Sequence, residues 1–427
     1  MAYSAPRGTV DLLPQQTKNW QYLEQLLRTI AFNYNVKEIR VPIFEHTELF
    51  NRAVGDTTDV VSKEMYTFQD RGDRSLTLRP EGTAGVVRAF VENKLYVNPD
   101  KLTKLYYMGP MFRYERPQKG RQRQFHQFGV EMLGLENPEV DVECMVMAVT
   151  IIESLGLQNV KLHINTLGDE ISRENYRQAL MNHFKPGLNE LCGDCQARFE
   201  KNPLRILDCK VDKDNPLITT APKTIDYLTP EAKTHFEKVC ALLDDLEIDY
   251  MVDTNLVRGL DYYCHTVFEV ISEDPTFGNA ATLGGGGRYN KLVQEMGGPE
   301  TPGVGFAFGM ERLALALDQM ESEDDDALDI YIMPLGQEAR DLSLQIVTML
   351  RANGFSCDMD YANRSMKAMF KTVDRLQAHF AIIIGEEEVK NEVVNIKCTH
   401  DKQQETIPLE DIVAYIEHHL EGGHEHE

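Results

Sequence analysis

A chain of 427 residues is too long for one ordinary hydrophobic core, so we expect about two to four domains. Its 42% hydrophobic and 26% charged residues are typical of a soluble globular protein, and no apolar run is long enough to span a membrane. The net charge of −24 excludes a non-specific coat for nucleic acid, but a local basic site remains possible because salt screens fields beyond ~8–10 Å. The N-terminal residues lack the apolar core of a signal peptide, so we expect a cytoplasmic protein.

The first half of the chain predicts helices that alternate with short strands. Apolar residues at helical spacing predict a helix over 15–34, whose buried face is formed by Trp20, Leu23, Leu27 and Ile30. The next segment predicts a strand interrupted by Pro42, which is typical of a sheet edge or an interface. Further along we predict a strand at 75–80, a helix at 81–93, strands at 104–115 and 124–134 joined by a long loop, a helix at 140–154 and a strand at 160–168.

The second half contains a loosely patterned segment and a regular C-terminal region. Residues 169–225 combine helical stretches with prolines and indicate an insertion. Beyond them we predict a helix at 230–246, two strands within 249–272, a glycine turn leading into a helix at 281–296, and a strand or glycine-rich stretch leading into a helix at 301–320. An acidic run at 321–326 indicates a linker, and the βαβαββα order after it predicts a self-contained α/β domain.

Three of the eight cysteines lie close together in the predicted insertion. Cys192 and Cys195 form a CxxC pair, and Cys209 follows fourteen residues later. A structural zinc site needs four ligands, and no adjacent pair completes this set. We therefore expect ordinary reduced thiols and no structural zinc, with a metal site as the alternative.

The sequence lacks the common phosphate-binding loops. There is no GxxxxGK[ST] segment, and Gly303–Gly309 is one residue longer than the dinucleotide fingerprint. Any nucleotide site must therefore be built from cationic side chains on a sheet.

The stretch FRYERPQKGRQRQFHQFGVE gathers five basic residues within 113–123 of an acidic chain. Strand alternation puts Phe125, Gln127 and Glu131 on one face. Arg113 can bind a phosphate with two hydrogen bonds, Phe125 offers a flat surface for a base, and Glu131 is an inward carboxylate. The alternative is a surface hairpin with a solvated basic tip.

At these residues the sequence resembles the class II aminoacyl-tRNA synthetases. FRYE, the basic loop and RQFHQFGVE resemble motif 2 of that class, GVGFAFGMER resembles motif 3, and VPIFEHTELF resembles motif 1. LVRGLDYYCHTVFEV and GGGGRYNKL resemble the signatures of the histidyl-tRNA synthetase family. Together with RPEGTAG these motifs cover about residues 5–320, and the C-terminal α/β region resembles the anticodon-binding module of the family.

The resemblance implies an α+β catalytic domain built on a mostly antiparallel sheet flanked by helices. It also implies an inserted, mostly helical domain and a C-terminal α/β anticodon-binding domain. The implied boundaries are 1–168 and 226–320 for the two parts of the catalytic domain, 169–225 for the insertion, 321–327 for an acidic linker and 328–427 for the anticodon-binding domain.

The resemblance also implies roles for individual residues. Arg113 and Arg258 are implied as catalytic cations beside the α-phosphate of ATP. The residues implied in histidine binding are Glu81, Thr83, Gln127, Glu131, Tyr262, Tyr263 and Tyr289. Those implied in ATP binding are Arg113, Glu115, Arg121, Phe125 and Arg312. Those implied at the tRNA acceptor stem are Arg116, Gln118, Lys119 and Arg123, and none is implied to bind a metal.

The implied activity is the ATP-dependent activation of L-histidine and transfer of the histidyl group to its tRNA. Mg²⁺ is the implied cofactor, motif 1 implies a homodimer, no membrane is involved, and we expect the insertion to clamp the acceptor arm. A non-catalytic regulatory subunit of histidine biosynthesis is the nearest alternative, although such paralogues lack the RGLDYY signature and the C-terminal domain. A pure binding module is a second alternative, but it has no need of Arg113, Arg258 and Arg312 together.

Overall fold

The structure of the protein is a computed structural model, which describes residues 3–55, 58, 60–117, 120–207, 209, 211–257, 260, 262–274, 281–317 and 327–421. It divides into two compact units, Met1–Met320 and Glu321–Glu427. Four features predicted from the sequence lie outside the described residues. These are Arg258, Gln118, Lys119 and all but the last residue of the linker at 321–327.

The larger unit contains eleven strands among its described residues. They are β1 Lys37–Glu38, β2 Phe44–His46, β3 Tyr66–Gln69, β4 Ser75–Leu78, β5 Thr103–Phe112, β6 Gln124–Leu133, β7 Val160–Thr166, β8 Tyr250–Val252, β9 Cys264–Ser272, β10 Ala281–Arg288 and β11 Gly303–Gly309. Eight form one sheet in the order β1-β5-β6-β11-β10-β9-β7-β8, and β2-β4-β3 form a small second sheet. Only the two edge pairs of the large sheet, β1 with β5 and β8 with β7, are parallel. The mostly antiparallel sheet predicted from the sequence is therefore confirmed.

The described helices of this unit pack on the large sheet or form the inserted segment. They are α1 Pro14–Asn33, α2 Thr47–Val54, α3 Thr83–Glu92, α4 Pro138–Ser154, α5 Glu170–Phe184, α6 Gly193–Lys201, α7 Pro216–Thr219, α8 Pro230–Asp245, α9 Leu292–Glu295 and α10 Met310–Leu317. Single helical turns occur at Val60–Glu64, Lys185–Glu190, Pro203–Ile206 and Thr224–Tyr227.

Helix α1 shows why the first predicted helix forms. Pro14 occupies its first turn, where a missing N–H costs nothing, and the backbone N–H of Leu13 donates to the side chain of Gln16. The predicted apolar face is buried along its whole length, from Trp20 to Ile30. It joins a core that α4, α8 and α10 complete against one face of the large sheet.

Strand β6 divides its side chains between that core and the opposite face. Phe128, Val130 and Met132 are buried against the helices. The alternate residues, including Gln127 and Glu131, face the other way because strand side chains have a period of two. The second face of the sheet is therefore the one that carries polar groups.

The glycine turn predicted within 281–296 is wrong. Residues 281–288 form β10, which lies inside the sheet between β9 and β11. A Cβ atom on Gly286 would lie 1.9 Å from the carbonyl oxygen of Gly305, and one on Gly284 would lie 2.4 Å from the ring of Phe308. Glycine is thus needed for close packing rather than for a bend. The helix predicted after it is the single turn α9.

The sequence predicted one strand around Pro42, but the structure has two short strands there, in two different sheets. β1 lies at the edge of the large sheet, and β2 pairs with β4 in the small sheet. Proline cannot donate a ladder hydrogen bond, so the chain changes sheets there.

The inserted segment contains α5, α6 and α7 and has a hydrophobic cluster of its own. The buried members of this cluster are Tyr176, Leu180, Phe184, Leu191, Cys195, Phe199, Ile206, Cys209 and Ile218. The predicted helical character of residues 169–225 is confirmed by these elements.

The smaller unit is an α/β domain with a five-stranded sheet. Its elements are β12 Ile330–Pro334, α11 Gln337–Ala352, β13 Cys357–Met359, α12 Met366–Arg375, β14 Phe380–Ile384, α13 Glu386–Asn391, β15 Val393–Cys398, β16 Gln404–Pro408 and α14 Ile412–Glu421. The sheet order is β13-β12-β14-β15-β16. The sequence pattern missed α13 and β16, because α13 is very short and β16 is a mostly exposed edge strand with little apolar alternation.

No helix within the described residues is both long and apolar enough to cross a membrane.

Candidate active site

Two adjoining cavities lie on the polar face of the large sheet. The small cavity has a volume of about 170 Å³, and the large cavity has a volume of about 460 Å³. Both are lined by residues of β6, β10 and β11. They share five residues, namely Arg113, Gln127, Leu260, Gly285 and Ala307.

The small cavity brings together all seven residues for which the sequence implies histidine binding. These are Glu81, Thr83, Gln127, Glu131, Tyr262, Tyr263 and Tyr289. They come from segments that are far apart in the chain, so only the tertiary fold makes them neighbours.

Glu131 is the centre of the polar network in the small cavity. The hydroxyl of Thr83 donates to its Oε1 at 2.6 Å, and the hydroxyl of Tyr289 donates to its Oε2. Burial raises the pKa of Glu131 to about 8, so the carboxyl is largely protonated at neutral pH. A neutral carboxyl can donate one hydrogen bond and accept others.

Two further polar groups face the small cavity from its sides. Glu81 accepts hydrogen bonds from the backbone N–H groups of Thr83, at 2.7 Å, and Ala84, at 2.9 Å, where α3 begins. Burial raises the pKa of Glu81 as well. Within the described structure, Oε1 of Gln127 is buried and has no hydrogen-bond partner. It is a free acceptor for a donor group on a ligand.

Aromatic rings close the small cavity. The ring of Tyr262 lies 4.5 Å from that of Tyr263 and 5.5 Å from that of Tyr289. Tyr107 also lines this cavity, and the sequence reasoning missed it. The pairing of β5 with β6 could have revealed Tyr107, because it lies opposite Gly129 on the strand that carries Glu131.

The large cavity contains all five residues for which the sequence implies ATP binding. These are Arg113, Glu115, Arg121, Phe125 and Arg312. The Arg113 guanidinium lies 5.3 Å from the centre of the Phe125 ring.

The arginines of the large cavity are held by protein oxygens. Nε of Arg113 donates to the carbonyl of Pro80 at 2.8 Å. Glu115 lies 3.8 Å from Arg113 and 3.5 Å from Arg121, so one carboxylate offsets two cations. Arg312 donates to the carbonyl of Thr282, and burial lowers its pKa.

Glu269 is a residue of the large cavity that the sequence reasoning missed. It stands on β9 opposite Gly285, and its Oε2 accepts a hydrogen bond from the hydroxyl of Thr282 at 3.1 Å. The sequence signal for Glu269 was its position as the only carboxylate of β9, between the apolar residues Phe268 and Val270.

The hairpin between β5 and β6 carries the residues implied at the acceptor stem. Arg116 is exposed, and Arg123 stacks on Tyr114 with its guanidinium 3.8 Å from the ring centre. Gln118 and Lys119 lie outside the described residues, and so does Arg258. Leu260 and Tyr262, close to Arg258 in sequence, line the cavities.

A hydrogen-bonded brace joins β6 to α10 on the helix-covered face of the sheet. The carboxylate of Glu311 accepts from the backbone N–H of His126 at 2.8 Å and lies 3.0 Å from its ring Nδ1. The His126 ring packs against Trp20 of α1, with the ring centres 4.9 Å apart. The neighbouring residues in sequence, Phe125 and Arg312, line the large cavity.

The large antiparallel sheet carries a hairpin with several arginines, and its glycine-rich strand β11 leads into the helix that contains Arg312. These features define a class II aminoacyl-tRNA synthetase fold. Residues 8–313 match the family model described as histidyl-tRNA synthetase, and residues 329–419 match an anticodon binding domain. The chain belongs to the histidyl-tRNA synthetase family.

Relatives match the chain over nearly its full length. It is 53% identical over 424 residues to the histidine–tRNA ligase of Bacillus subtilis strain 168, covering 99% of this chain and 100% of that protein. It is 54% identical to the histidine–tRNA ligase of Geobacillus sp. strain WCH70, covering 98% and 100%. The crystal structure of apo histidyl-tRNA synthetase from Staphylococcus aureus has a TM-score of 0.84 at 45% identity, covering 97% of this chain and 100% of that chain.

Proposed function

We propose that the protein activates L-histidine with ATP and transfers the histidyl group to the 3′ end of histidine tRNA, releasing pyrophosphate and AMP. The observation that carries the proposal is the pair of adjoining cavities that share Arg113 and Gln127. One cavity is small and carboxyl-lined, and the other is arginine-lined. An amino acid and a nucleotide bound in them would therefore meet at Arg113. Full-length similarity to histidine–tRNA ligases supports the same assignment.

A non-catalytic regulatory subunit of histidine biosynthesis is less supported. The similarity to the ligases extends through the C-terminal domain, which matches an anticodon binding domain. A regulatory subunit has no need of that domain.

In the small cavity, the α-amino group of histidine binds Glu81, Thr83 and Gln127. The unpartnered Oε1 of Gln127 supports this role, because an ammonium group is a donor without an acceptor. The imidazole binds between Glu131 and Tyr263, with Tyr262 and Tyr289 beside it. Imidazole has two opposed nitrogens, so partners on both sides select it over apolar side chains.

In the large cavity, the nucleotide lies between Phe125 and Arg312, with its α-phosphate at Arg113 and Arg258. The histidine carboxylate attacks the α-phosphorus, the bond to the β-phosphate oxygen breaks, and pyrophosphate leaves. The terminal ribose hydroxyl of the tRNA then takes the histidyl group, and AMP leaves. Positioning and neutralisation of charge account for most of the first step, since no protein nucleophile is required.

The residues of the large cavity also fit a Mg²⁺ ion bound with ATP. Mg²⁺ typically binds one or two carboxylates together with phosphate oxygens, and Glu115 and Glu269 would provide these carboxylates. When bound, the ion neutralises charge on the phosphates.

The tRNA binds two regions of the chain. Arg116, Gln118, Lys119 and Arg123 meet the acceptor stem, where cations replace the counterions of phosphates. The domain at 328–427 binds the anticodon, as its family match supports. The insertion at 169–225 clamps the acceptor arm, so its deletion is expected to impair charging more than adenylate formation.

The protein acts as a cytoplasmic homodimer. The resemblance of the segment around Pro42 to motif 1 supports this proposal, and so does a pair of exposed aromatic rings nearby. Phe44 is 47% exposed and Phe68 is 44% exposed, and their ring centres are 6.4 Å apart. Light scattering that gives a monomer of 48.7 kDa at working concentration contradicts the dimer.

Pyrophosphate exchange tests the proposed function. The full-length protein is expected to exchange labelled pyrophosphate into ATP when histidine is present, without tRNA. A binding module or a regulatory subunit shows no such exchange. Arg258→Glu is expected to abolish exchange without changing the circular dichroism spectrum, and exchange at the wild-type rate contradicts the role of Arg258.

A further inference from the structure

Four potential metal ligands converge in the inserted segment, and none of them lines either of the two cavities. Cys192, Cys195, Cys209 and Asp212 each offer one ligand atom, and these atoms all lie within 4.8 Å of one another. Cys195 and Cys209 are buried, while Cys192 and Asp212 are half-buried. The sequence pattern indicates only three ligands, and the fold brings Asp212 to the same point as the fourth.

The distances match those around a tetrahedral zinc ion. With Zn–S bonds of about 2.3 Å and a Zn–O bond of about 2.0 Å, tetrahedral geometry puts two sulfurs ~3.8 Å apart and a sulfur and an oxygen ~3.5 Å apart. The Sγ atoms of Cys192 and Cys209 are 3.7 Å apart. The Sγ of Cys209 lies 3.6 Å from Oδ2 of Asp212.

The backbone presents the ligands as two similar pairs. Cys192 immediately precedes α6 and Cys195 lies in its first turn, so their side chains share one face at the start of the helix. Cys209 and Asp212 repeat the three-residue spacing after the helical turn Pro203–Ile206. The sequence pattern is therefore C-x₂-C-x₁₃-C-x₂-D, close to the paired pattern of zinc sites.

Backbone N–H groups orient the ligand atoms. The N–H of Asp212 points to Sγ of Cys209 at 3.4 Å, and the N–H of Cys192 donates to Oδ2 of Asp212 at 2.8 Å. Bonds of this kind fix the direction of ligands around a metal. The start of α6 adds partial positive charge beside the sulfurs of Cys192 and Cys195.

The metal-free alternatives explain less of this arrangement. A disulfide requires sulfurs about 2.05 Å apart, whereas all eight cysteines are free thiols. A capping role for Asp212 at α6 explains one hydrogen bond but not the convergence of three cysteines on the same point. Thiols packed only for their volume need no carboxylate among them.

We propose that Cys192, Cys195, Cys209 and Asp212 bind one structural zinc ion that holds the inserted segment together. The segment buries a small cluster of its own, and two members of that cluster are ligand cysteines. Small modules with so little core are commonly stabilised by a metal. The proposal rests on no part of the proposed function.

Metal analysis of the full-length protein tests this proposal. Protein purified under reducing conditions from zinc-supplemented medium is expected to contain about one zinc per chain. Cys209→Ser is expected to lose the zinc, and Cys357→Ser is the matched control because Cys357 is likewise a buried cysteine but lies in the other unit. Limited proteolysis is expected to cleave the segment 185–225 faster after chelation, with cleavage elsewhere unchanged.

If Cys209→Ser does not fold, a second variant still tests the proposal. Asp212→Asn preserves side-chain shape and is expected to weaken zinc binding roughly 10-fold or more in competition with a chromogenic chelator. Cobalt bound to the wild-type protein is expected to show the absorption bands of tetrahedral thiolate coordination. Reduced thiols without metal, a disulfide detected by mass spectrometry, or iron in place of zinc each overturn the proposal.

Discussion

The small and large cavities differ in how they hold charge before a ligand arrives. In the small cavity, Glu131 is surrounded by hydroxyl donors and its raised pKa keeps it largely neutral. In the large cavity, ionised arginines are held by Glu115 and by backbone carbonyls. In the proposed function, the hydrogen-bonding groups of the small cavity select histidine, and the arginines of the large cavity neutralise the phosphates. The two cavities share Arg113, so we propose that selectivity and charge neutralisation meet at this residue.

Among the described residues, the largest expected effect comes from removing Arg113, the cation that both cavities share. Arg113→Gln is expected to lower histidine-dependent pyrophosphate exchange about 10²- to 10³-fold, the usual loss for one group that stabilises developing charge. Arg116→Gln removes an exposed arginine from the same hairpin and should leave exchange within about twofold of wild type. Steady-state exchange kinetics measure both. Equal losses in the two variants would mean that Arg113 contributes only general surface charge.

The neutral state of Glu131 predicts a pH-dependent stability. Its folded pKa of about 8 lies above its ordinary value of 4.5, so the folded state binds the proton more tightly. This stabilisation is complete below about pH 4.5 and is lost as the pH rises through about 8, by up to ~1.4 kcal/mol for each pH unit. The thermal midpoint of the wild type is therefore expected to fall relative to that of Glu131→Gln between about pH 5 and 8.

The matched control for this experiment is Glu237→Gln, which removes an exposed carboxyl from α8. Its midpoint should follow that of the wild type at every pH. If the wild type and Glu131→Gln instead change in parallel, Glu131 is ionised in the folded protein and the small cavity is not neutral.

Two glycine-to-alanine substitutions test whether close packing matters more in the small cavity than in the large cavity. A Cβ atom on Gly305 would lie 2.2 Å from Oε2 of Glu131, whereas one on Gly309 has no neighbour within 4 Å among the described residues. Gly305→Ala is expected to cost about 1–3 kcal/mol of overpacking and to raise the KM for histidine roughly 10- to 100-fold. Gly309→Ala should change the KM for histidine less than about threefold. If the two variants have a similar KM for histidine, Gly305 does not form part of the histidine site.

The smallest expected effect concerns the hairpin that reaches beyond the cavities. Arg116→Gln is expected to weaken tRNA charging a few-fold and to reduce the slope of log KM for tRNA against log salt by about 1, as loss of one phosphate contact does. Its pyrophosphate exchange should stay at the wild-type level. An unchanged salt slope would place Arg116 away from the tRNA.

The local spacing of apolar residues was sufficient to predict the helices and strands that bury one face. The face of α1 and the division of β6 into a core side and a polar side follow from spacings of 3.6 and 2. The residues implied in histidine and ATP binding were identified mainly from motif resemblance, since they come from distant segments, and Tyr107 and Glu269 were missed. Periodicity alone carries no information about which segments meet.

Features that depend on close approach between distant segments were not predictable in this way. Gly286 looks like a turn residue in sequence, and only the pairing with β11 shows that no Cβ fits there. The hydrogen bond from Tyr289 to Glu131 joins residues whose separation in the chain gives no hint of contact. Asp212 was overlooked because aspartate is common on surfaces, and its meaning depends on three sulfurs nearby.

The hydrogen bonds between Glu311 and His126 join two chain segments that line the large cavity. Strand β6 pairs with β11 as far as Gln127 and Gly309, and beyond that point the Glu311 carboxylate replaces the missing strand by accepting the N–H of His126. Phe125 precedes His126 and Arg312 follows Glu311 in the chain, so the hydrogen bond connects the backbone segments that carry these two cavity residues. The two sides of the large cavity are thus linked from behind the sheet, on the face opposite to the one where we propose that the nucleotide binds.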